Sequence, residues 1–481
     1  MDTDARRDWG WGVLVVSFVV FMAAMFKPWI HGADGVRYYA YLRSAAIDGD
    51  LDFEDEFSHY PDAAGVLRRD PRTGRVANAV ACGSAVLWAP WFLAAHAGVK
   101  IARLAGASVA ADGYSAPYVV AVCLGSTFYA LAGLLLLYGA LRRWAGQGAA
   151  LTAVMGVWLA SPLVFYMCSH PSMSHANAFF CVCALLAACV RWGESESFAA
   201  WAGMGALAGL ATLARFDNLL WLALPAAQWI SWFVVRGSWF ARRDSRRVVV
   251  GRDRSRQTFF APINEPRTAN HEPRSVLRFL ALGAVFCVCA LAVFSPQLFA
   301  WKALYGSFFS GPRDYKLDPD LSVWSSPHFL DALFSGRRGL FFWTPIALAG
   351  VAGWTLRSPI PARLRSAAAA ILLAQTWLVG GWAVWWGGAS FGPRLFIGCL
   401  PLLALGLAAL VERTRSRWRA IALAATALLV VWNFGLMAQY ALRIVDREGD
   451  LTRREVLANQ FTRVPVELWR RMGDVLRRRP V

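Results

Sequence analysis

Apolar stretches of about 20 residues recur from one end of this chain to the other, and their recurrence limits the fold more than any other feature. About 20 helical residues cross the hydrocarbon core of a bilayer, where backbone polar groups must be satisfied within the segment itself. Hydrophobic residues make up 57% of the 481 residues, more than a soluble fold of this length can bury. The sequence therefore predicts an all-α polytopic membrane protein.

We place eleven membrane-spanning helices along the chain. The first has no small-residue cleavage site and is interpreted as a retained span with a cytoplasmic N-terminus. A further apolar segment, 76–99, is interpreted as an outer-face or re-entrant element, because counting it as a span would move the basic loops to the outside. The eleven spans lie near residues 11–30, 116–140, 150–168, 176–192, 198–214, 218–235, 278–300, 339–356, 367–384, 395–411 and 420–440.

These spans predict one transmembrane domain over 1–440 and a tail over 441–481. Three long loops interrupt the domain: a first outer loop at 31–113 that bears short interfacial helices, a basic cytoplasmic loop at 236–277, and an outer loop at 301–338. The tail has apolar and Arg residues at helical spacing, which predicts amphipathic helices against an anionic surface. Its side of the membrane stays open, because its basic residues break the positive-inside pattern.

The net charge of +18 does not indicate a nucleic-acid partner, because the basic residues are spread over loops between spans. The nine cysteines lie almost wholly in apolar runs and lack the spacing of a zinc site, so we interpret them as packing residues.

The first outer loop opens with Asp34, which lies shortly after the first helix and just before Tyr38 and Tyr39. A carboxylate in a partly desolvated cleft at the membrane surface has the basicity that a general base needs. The alternative is that Asp34 caps a short helix that begins at Gly35, since Asp is a favoured N-cap residue.

An acidic run at 48–56 follows in the same loop. We interpret it as solvated; the alternative is that its oxygens bind a divalent cation. The next outer loop contains His170 and His175 among several hydroxyls, and two imidazoles without a third ligand favour hydrogen bonding to a sugar or phosphate over a metal site. Arg215 and Asp217 predict either a local ion pair or a site that faces the cleft.

Three further arginines, Arg337, Arg338 and Arg394, lie close to glycines in outer segments. Small neighbours let a guanidinium approach a phosphate with two hydrogen bonds. The alternative is snorkelling at a helix end beside a belt of Trp residues.

In their order, these segments resemble the GT-C superfamily, the polytopic glycosyltransferases that use polyprenyl-phosphate sugars, and especially its protein O-mannosyltransferase and lipid A aminoarabinose transferase branches. The resemblance covers nearly the whole chain as an arrangement of spans and loops. The matching features are Asp34 with Tyr38 and Tyr39, the Pro-containing element at 83–90, the loop at 166–175, the pair Arg215 and Asp217, and the segments at 339–345 and 392–394.

This resemblance implies transfer of a sugar from a polyprenyl-phosphate donor to an acceptor hydroxyl on the outer, periplasmic face of the inner membrane. Asp34 would be the base, and Arg394, with Arg337 or Arg338, would stabilise the phosphate charge. The acceptor would be an envelope protein, lipid or polysaccharide, and membrane lipids are further partners. The remaining residues expected to bind substrate are Tyr38, Tyr39, His170, His175, Arg215 and Asp217.

Two other functions are compatible with a polytopic chain. A lipid or glycan transporter of the cell envelope needs ionisable groups at the midplane of several spans, and the predicted spans carry almost none. A non-catalytic scaffold of an envelope complex would leave the outer loops without a coupled function.

Overall fold

The computed structural model describes residues 8–65, 67–231, 272–309, 323–356, 360–414 and 416–477. The described residues form helices joined by loops, with one isolated antiparallel bridge between Arg69 and Val76, and the all-α prediction is confirmed. The predicted basic loop lies outside these residues up to residue 271, and so do residues 310–322 of the loop predicted at 301–338.

The first ten helices are α1 (Gly10–Met25), α2 (Gly32–Arg43), α3 (Glu54–His59), α4 (Pro61–Ala64), α5 (Gly83–Leu104), α6 (Ala116–Leu141), α7 (Gln147–Leu159), α8 (Leu163–Cys168), α9 (His175–Trp192) and α10 (Phe198–Ala214). They are followed by α11 (223–231), α12 (Glu272–Tyr305), α13 (Phe329–Phe334), α14 (Leu340–Trp343), α15 (Ile346–Thr355), α16 (Ala362–Gly380), α17 (Leu400–Glu412), α18 (Ser416–Ala441), α19 (Arg453–Phe461) and α20 (Arg463–Arg477). A π-helical turn lies at Ser44–Asp48, and 3₁₀ helices lie at Phe216–Leu222 and Arg394–Cys399.

Six helical segments among the described residues are long and apolar enough to cross a membrane, and four shorter apolar helices accompany them. The chain is therefore a multi-pass membrane protein. Two predicted spans are interrupted at proline, which lacks the N–H that a helix interior needs: Pro162 separates α7 from α8, and Pro345 separates α14 from α15. α1 ends at Met25, before the predicted boundary, because Pro28 disfavours helical backbone at the residue before it.

Contacts between chain segments sort the loops onto two faces. A carboxylate oxygen of Asp8, before α1, lies 2.9 Å from Arg142 Nε, after α6. Nearby, the backbone N–H of Gly146 donates to Glu412 at the end of α17, 2.8 Å away. We call this the opposite face. The other face, where α1 ends and α2 to α4 lie, is called the site face below.

Helix α5 meets the length and composition of a span, yet its contacts show that it starts inside the bundle. Tyr129 Oη, at the middle of α6, donates to the carbonyl of Leu87 at 3.1 Å, whereas Tyr118, near the start of α6, lies 2.7 Å from His96. α5 therefore runs antiparallel to α6, from the depth of Tyr129 to the site face. The interpretation of 76–99 as an outer-face or re-entrant element stays a prediction.

The C-terminal tail packs on the site face. Its side could not be predicted from the sequence. Arg453 Nε donates to the carbonyl of Phe334 at 2.9 Å, and Gln460 Nε2 donates to the carbonyl of Trp432 at 3.1 Å. Trp432 lies about 13 Å below the end of α18, at 1.5 Å per helical residue. The tail thus turns back along α18, with Phe461 and Trp469 exposed.

Two helix pairs approach each other closely through glycine. Gly205 and Gly209 of α10 lie against the backbone of α12, and Gly353 of α15 lies against Gly406 of α17. A Cβ atom built on Gly353 would lie 1.8 Å from the Gly406 carbonyl oxygen. Small residues at such crossings let helix backbones meet, which is the main source of packing energy between helices in a bilayer.

We expect Gly353→Ala to lower stability by about 1–3 kcal/mol, because the new methyl group must push two backbones apart. The matched control is Gly148→Ala in α7, where a Cβ would meet nothing within 4 Å. Thermal unfolding of both variants in detergent measures the difference. Equal melting temperatures would contradict the close packing of α15 on α17.

Candidate functional site

A cavity of about 930 Å³ opens at the site face between α2, α10, α12 and α16. Its two ends differ in chemistry. Charged and polar side chains line one end: Asp34, Tyr38, Arg215, Asp217, Gln375 and Arg394. Most of the remaining lining is apolar and includes residues of three helices: Ala208, Gly209, Phe286, Ala290, Leu291, Phe294, Trp377, Leu378 and Val379.

Asp34 lies in the first turn of α2, with His31 as the N-cap residue. Its Oδ2 is 2.8 Å from Nη1 of Arg394, and its Oδ1 is 3.7 Å from Nη1 of Arg37, one turn later in the same helix. The Asp34 side chain is 17% exposed. The alternative that Asp34 caps a helix starting at Gly35 is wrong, because the helix starts at Gly32 and the carboxylate pairs with Arg394.

Arg394 begins a 3₁₀ helix after a loop with three glycines in left-handed backbone conformations, at 387, 388 and 392. At Gly392 (φ 59°) a Cβ would also meet Pro162 at 2.6 Å, so both conformation and space require glycine. Tyr166 secures the loop: its hydroxyl donates to the carbonyl of Phe391 at 2.9 Å and accepts from the N–H of the same residue at 3.1 Å.

Arg215 and Asp217 form a two-point ion pair, with Nε to Oδ1 at 3.0 Å and Nη2 to Oδ2 at 3.1 Å. Both residues also line the cavity, so they form a local ion pair and face the cleft at the same time. Gln375 of α16 donates to Asp217 at 3.2 Å and to the carbonyl of Leu395 at 2.8 Å. The sequence analysis missed Gln375, although a lone amide within the apolar run 367–384 was a usable signal.

The two tyrosines after Asp34 have different surroundings. Tyr38 lines the cavity, and burial raises the pKa of its hydroxyl while Arg215 opposes that rise. Tyr39 instead donates to the carbonyl of Gly113 and packs against Phe92, away from the cavity. Neighbouring residues of a helix point about 100° apart, so one face of α2 cannot present both rings to one ligand.

The structure does not bring His170 or His175 into the cavity lining. His170 stacks on Phe165 with ring centres 4.7 Å apart, and burial, assisted by the nearby His31 and Lys27, lowers its pKa to about 3. His170 is therefore neutral at physiological pH. His175 is buried at the start of α9, with its ring centre 4.5 Å from that of Tyr166. Both imidazoles lie around the phenol that secures the Arg394 loop.

Arg337 and Arg338 also lie apart from the cavity lining. Arg337 Nη1 lies 2.6 Å from Asp450 of the tail, and its guanidinium stacks 3.5 Å above the ring of Trp386. Arg338 is buried and donates to the carbonyls of Gly388 and Arg447, and burial lowers its pKa to about 10. These contacts join the tail to the loop before Arg394 and do not reach the cavity.

The interpretation of the acidic run at 48–56 as solvated is wrong for Glu56. That side chain is fully buried and lies 3.0 Å from Nη1 of Arg43, which also pairs with Asp48. Burial raises the pKa of Glu56 to about 7, against the opposing effect of Arg43. The part of the chain that the structure describes contains no group of three or more His, Cys, Asp or Glu side chains placed to hold a metal ion.

No protein-family model and no curated protein sequence matches this chain. Among solved structures, its fold is similar to that of ArnT from Cupriavidus metallidurans bound to undecaprenyl phosphate, with a TM-score of 0.51 and 16% identity over 94% of this chain and 75% of that one. The apo state of the same ArnT gives a TM-score of 0.46. The oligosaccharyltransferase of Archaeoglobus fulgidus in the apo form gives 0.43, with 13% identity over 95% of this chain and 57% of that one.

The first of these similarities concerns the fold: the chain is an all-α polytopic membrane protein whose fold is similar to that of ArnT. The fold expected from the order of the sequence segments is thereby confirmed. At 16% identity the similarity concerns the fold, and the chemistry rests on the cavity.

The raised pKa of Glu56 predicts how the stability of the fold changes with pH. Between pH 4.5, the usual pKa of a glutamate, and about pH 7, Glu56 holds a proton in the folded chain but not in the unfolded chain. Its contribution to the free energy of unfolding is therefore full at low pH and is lost as the pH rises toward 7. We expect Glu56→Gln to remove this loss, so that its melting temperature falls by roughly 2–4 °C less than that of the wild type between pH 5 and 8.

Glu54→Gln is the matched control for this measurement, because Glu54 lies in the same helix, is half-exposed and pairs with Arg69. It should keep the wild-type pH dependence. If both variants follow the wild-type curve, Glu56 does not titrate in this range.

Proposed function

We propose that this chain is an integral membrane glycosyltransferase that transfers a sugar from a polyprenyl-phosphate donor to an acceptor hydroxyl, with Asp34 as the general base. The observation that carries the proposal is the contact of Asp34 with Arg394 at the polar end of a cavity whose remaining length is apolar. Such a site presents a base and a phosphate-binding cation at one end of a slot suited to a hydrocarbon chain.

The apolar part of the cavity fits the lipid of the donor. Phe286, Ala290 and Phe294 recur along one face of α12, and Leu378 and Val379 of α16 line the same cavity. The side chains of Leu291 and Leu378 belong to this lining and are also exposed, so the apolar part of the cavity is open. A hydrocarbon chain can therefore enter sideways from the bilayer while the polar acceptor arrives from water. The ArnT structure with this fold contains undecaprenyl phosphate, a ligand of this class.

The proposed reaction is a displacement at the anomeric carbon of the sugar. The acceptor oxygen forms a bond to that carbon, its proton passes to the Asp34 carboxylate, and the bond from the carbon to the phosphate oxygen breaks with its electron pair on the phosphate. Arg394 stabilises the negative charge on the departing polyprenyl phosphate. Arg215 is held by Asp217, which in turn accepts from Gln375, and it adds a second cation at the same end of the cavity.

The contact between Asp34 and Arg394 fits an order of events. Before the donor arrives, each group neutralises the other in a site where both side chains are less than one-fifth exposed. A phosphodiester that binds Arg394 supplies a second acceptor for its hydrogen bonds and weakens its hold on Asp34. The carboxylate then becomes available to the acceptor hydroxyl, so the base acts only when the donor is in place.

We assign the site face to the periplasmic or extracellular side of the plasma membrane. The opposite face carries Arg142 and Arg143 at the end of α6, and the chain segments near it are rich in basic residues. Basic loops stay on the cytoplasmic side in most membrane proteins. The acceptor would then be a protein, lipid or polysaccharide of the cell envelope.

We expect Asp34→Asn to reduce sugar transfer by about 100-fold or more, the size of a general-base contribution. The test is transfer of radiolabelled sugar from membrane lipid fractions by purified wild-type and variant proteins. Binding of undecaprenyl phosphate should persist, because Arg394 remains. The control is Asp331→Asn, an exposed carboxylate on the site face that contacts His328.

Equal transfer by Asp34→Asn and wild type would place the base elsewhere. Loss of transfer together with retained movement of the lipid-linked sugar across the bilayer would favour the transporter alternative.

Cys287 provides a direct test of the lipid slot, because it is an exposed cysteine that lines the cavity. We expect undecaprenyl phosphate to slow its alkylation by a maleimide by about tenfold, since a bound hydrocarbon chain would cover the thiol. The control places a cysteine at the next residue, Val288→Cys in a Cys287→Ser background. Val288 is 64% exposed and does not line the cavity, so the lipid should not protect it.

A further inference from the structure

We propose that Arg338 is a positioning residue that makes the C-terminal tail part of the donor site, by fixing the loop that carries Arg394. This inference rests on the proposed function for its meaning in catalysis, but the mechanical connection can be measured by itself. Arg338 neither lines the cavity nor contacts Asp34, and apart from the through-space interaction of its charge with Arg394, its contacts act on the donor through the loop.

The loop that Arg338 contacts needs external support. Residues 387, 388 and 392 are glycines with φ between 59° and 81°, and glycine leaves the unfolded loop more conformational freedom than any other residue. Tyr166 holds the far end of the loop, at Phe391 and Ser390. The near end is held by Arg338, whose Nη1 donates to the carbonyl of Gly388 and lies 3.5 Å from that of Trp386.

The near end of this loop also touches Arg394 directly. A Cβ built on Gly387 would lie 3.2 Å from Nε of Arg394, so the guanidinium stem rests against the backbone of Gly387. Residues 386 and 388, whose carbonyls face Arg338, flank this glycine. Moving the near end of the loop would therefore move the surface that supports the Arg394 side chain.

The other arm of Arg338 reaches the tail. Its Nη2 donates to the carbonyl of Arg447, six residues after α18 ends, and Tyr440, near the end of that helix, donates from its hydroxyl to the carbonyl of Ala389 at 2.8 Å. Arg338 is 3% exposed and has a left-handed backbone (φ 66°), a conformation that costs a non-glycine residue energy. A buried cation held in this way joins three segments that lie far apart in sequence.

Arg337 cannot replace it, although it is adjacent in sequence. Arg337 binds the tail through Asp450 and stacks on Trp386, so it lies on the outer side of the same junction. Arg338 alone, among the described arginines of this corner, donates to carbonyls of both the tail and the glycine loop.

The experiment is a double-mutant cycle on the full-length chain in nanodiscs, with undecaprenyl phosphate as the probe. The variants are Arg338→Gln, Arg394→Gln and the double variant, and the readouts are the dissociation constant and the hydrogen exchange of residues 386–394. We expect Arg338→Gln to weaken binding by about tenfold and the double variant to bind no worse than Arg394→Gln alone, because groups that act through one another are not additive. Arg453→Gln, which removes another contact between the tail and the site face, is the matched control and should leave binding unchanged.

Hydrogen exchange separates this inference from the proposed function, because it needs no ligand. Faster exchange over 386–394 in Arg338→Gln, with other regions unchanged, supports the positioning role even if the wild type does not bind the lipid, a result that would overturn the proposed function alone. Additive losses of binding, or unchanged exchange over the loop, would overturn the positioning role. If Arg338→Gln does not fold, Tyr440→Phe removes one hydroxyl contact to the same loop and should show the same non-additivity with Arg394→Gln.

Discussion

The contact between Asp34 and Arg394 is the interaction on which the proposed chemistry depends, and the fold is arranged to bring these two side chains together. One belongs to the first turn of a short helix that follows the first membrane span, and the other follows a glycine loop near the opposite end of the chain. The helix that carries Asp34 is too short to cross the membrane, whereas Arg394 stands at the first residue of a candidate span, Arg394–Glu412. The long helices hold the two segments over one cavity, with α10, α12 and α16 forming its walls. Moving either segment would separate the charges and leave both partly buried without their main partner, which is costly in a site of low polarity.

The same helices explain why the cavity has two kinds of lining. Membrane spans consist mainly of apolar residues, so a slot between them has an apolar lining. Charged side chains are tolerated only where loops and helix ends reach the slot, which here happens at the site face. There each charge has a partner: Asp34 with Arg394, and Arg215 with Asp217. The cavity lining therefore combines apolar side chains of the spans with charged side chains from loops and helix ends.

Much of this arrangement could be predicted from the sequence, because the positions of the apolar segments along the chain indicate the membrane spans and their order. Asp34, Tyr38, Arg215, Asp217 and Arg394 were identified as candidates and all line one cavity. Tyr39 was not separated from Tyr38, since the helix that turns them apart was not positioned from the sequence. Gln375 is marked in the sequence as a lone amide in an apolar run, but its contact with Asp217 could not be predicted because the partner lies in another segment. The burial of Glu56 was equally hidden, because an acidic run looks the same whether it is solvated or folded against Arg43.

The arginines show most clearly where sequence reasoning stops. Arg338 and Arg394 both follow glycine-containing turns near aromatic residues, and the pattern that suggests phosphate binding fits either of them. Their partners distinguish them. Arg338 donates to neutral backbone carbonyls that are fixed in the chain. If its guanidinium turned to a ligand, these buried carbonyls would lose their hydrogen-bond donor, which is unfavourable. Arg394 pairs with a carboxylate, and an incoming phosphodiester can share that cation because one anion takes over hydrogen bonds from another. A guanidinium held by a carboxylate in a cavity is thus suited to exchange partners during a reaction, whereas one held by carbonyls is suited to keep a loop in place.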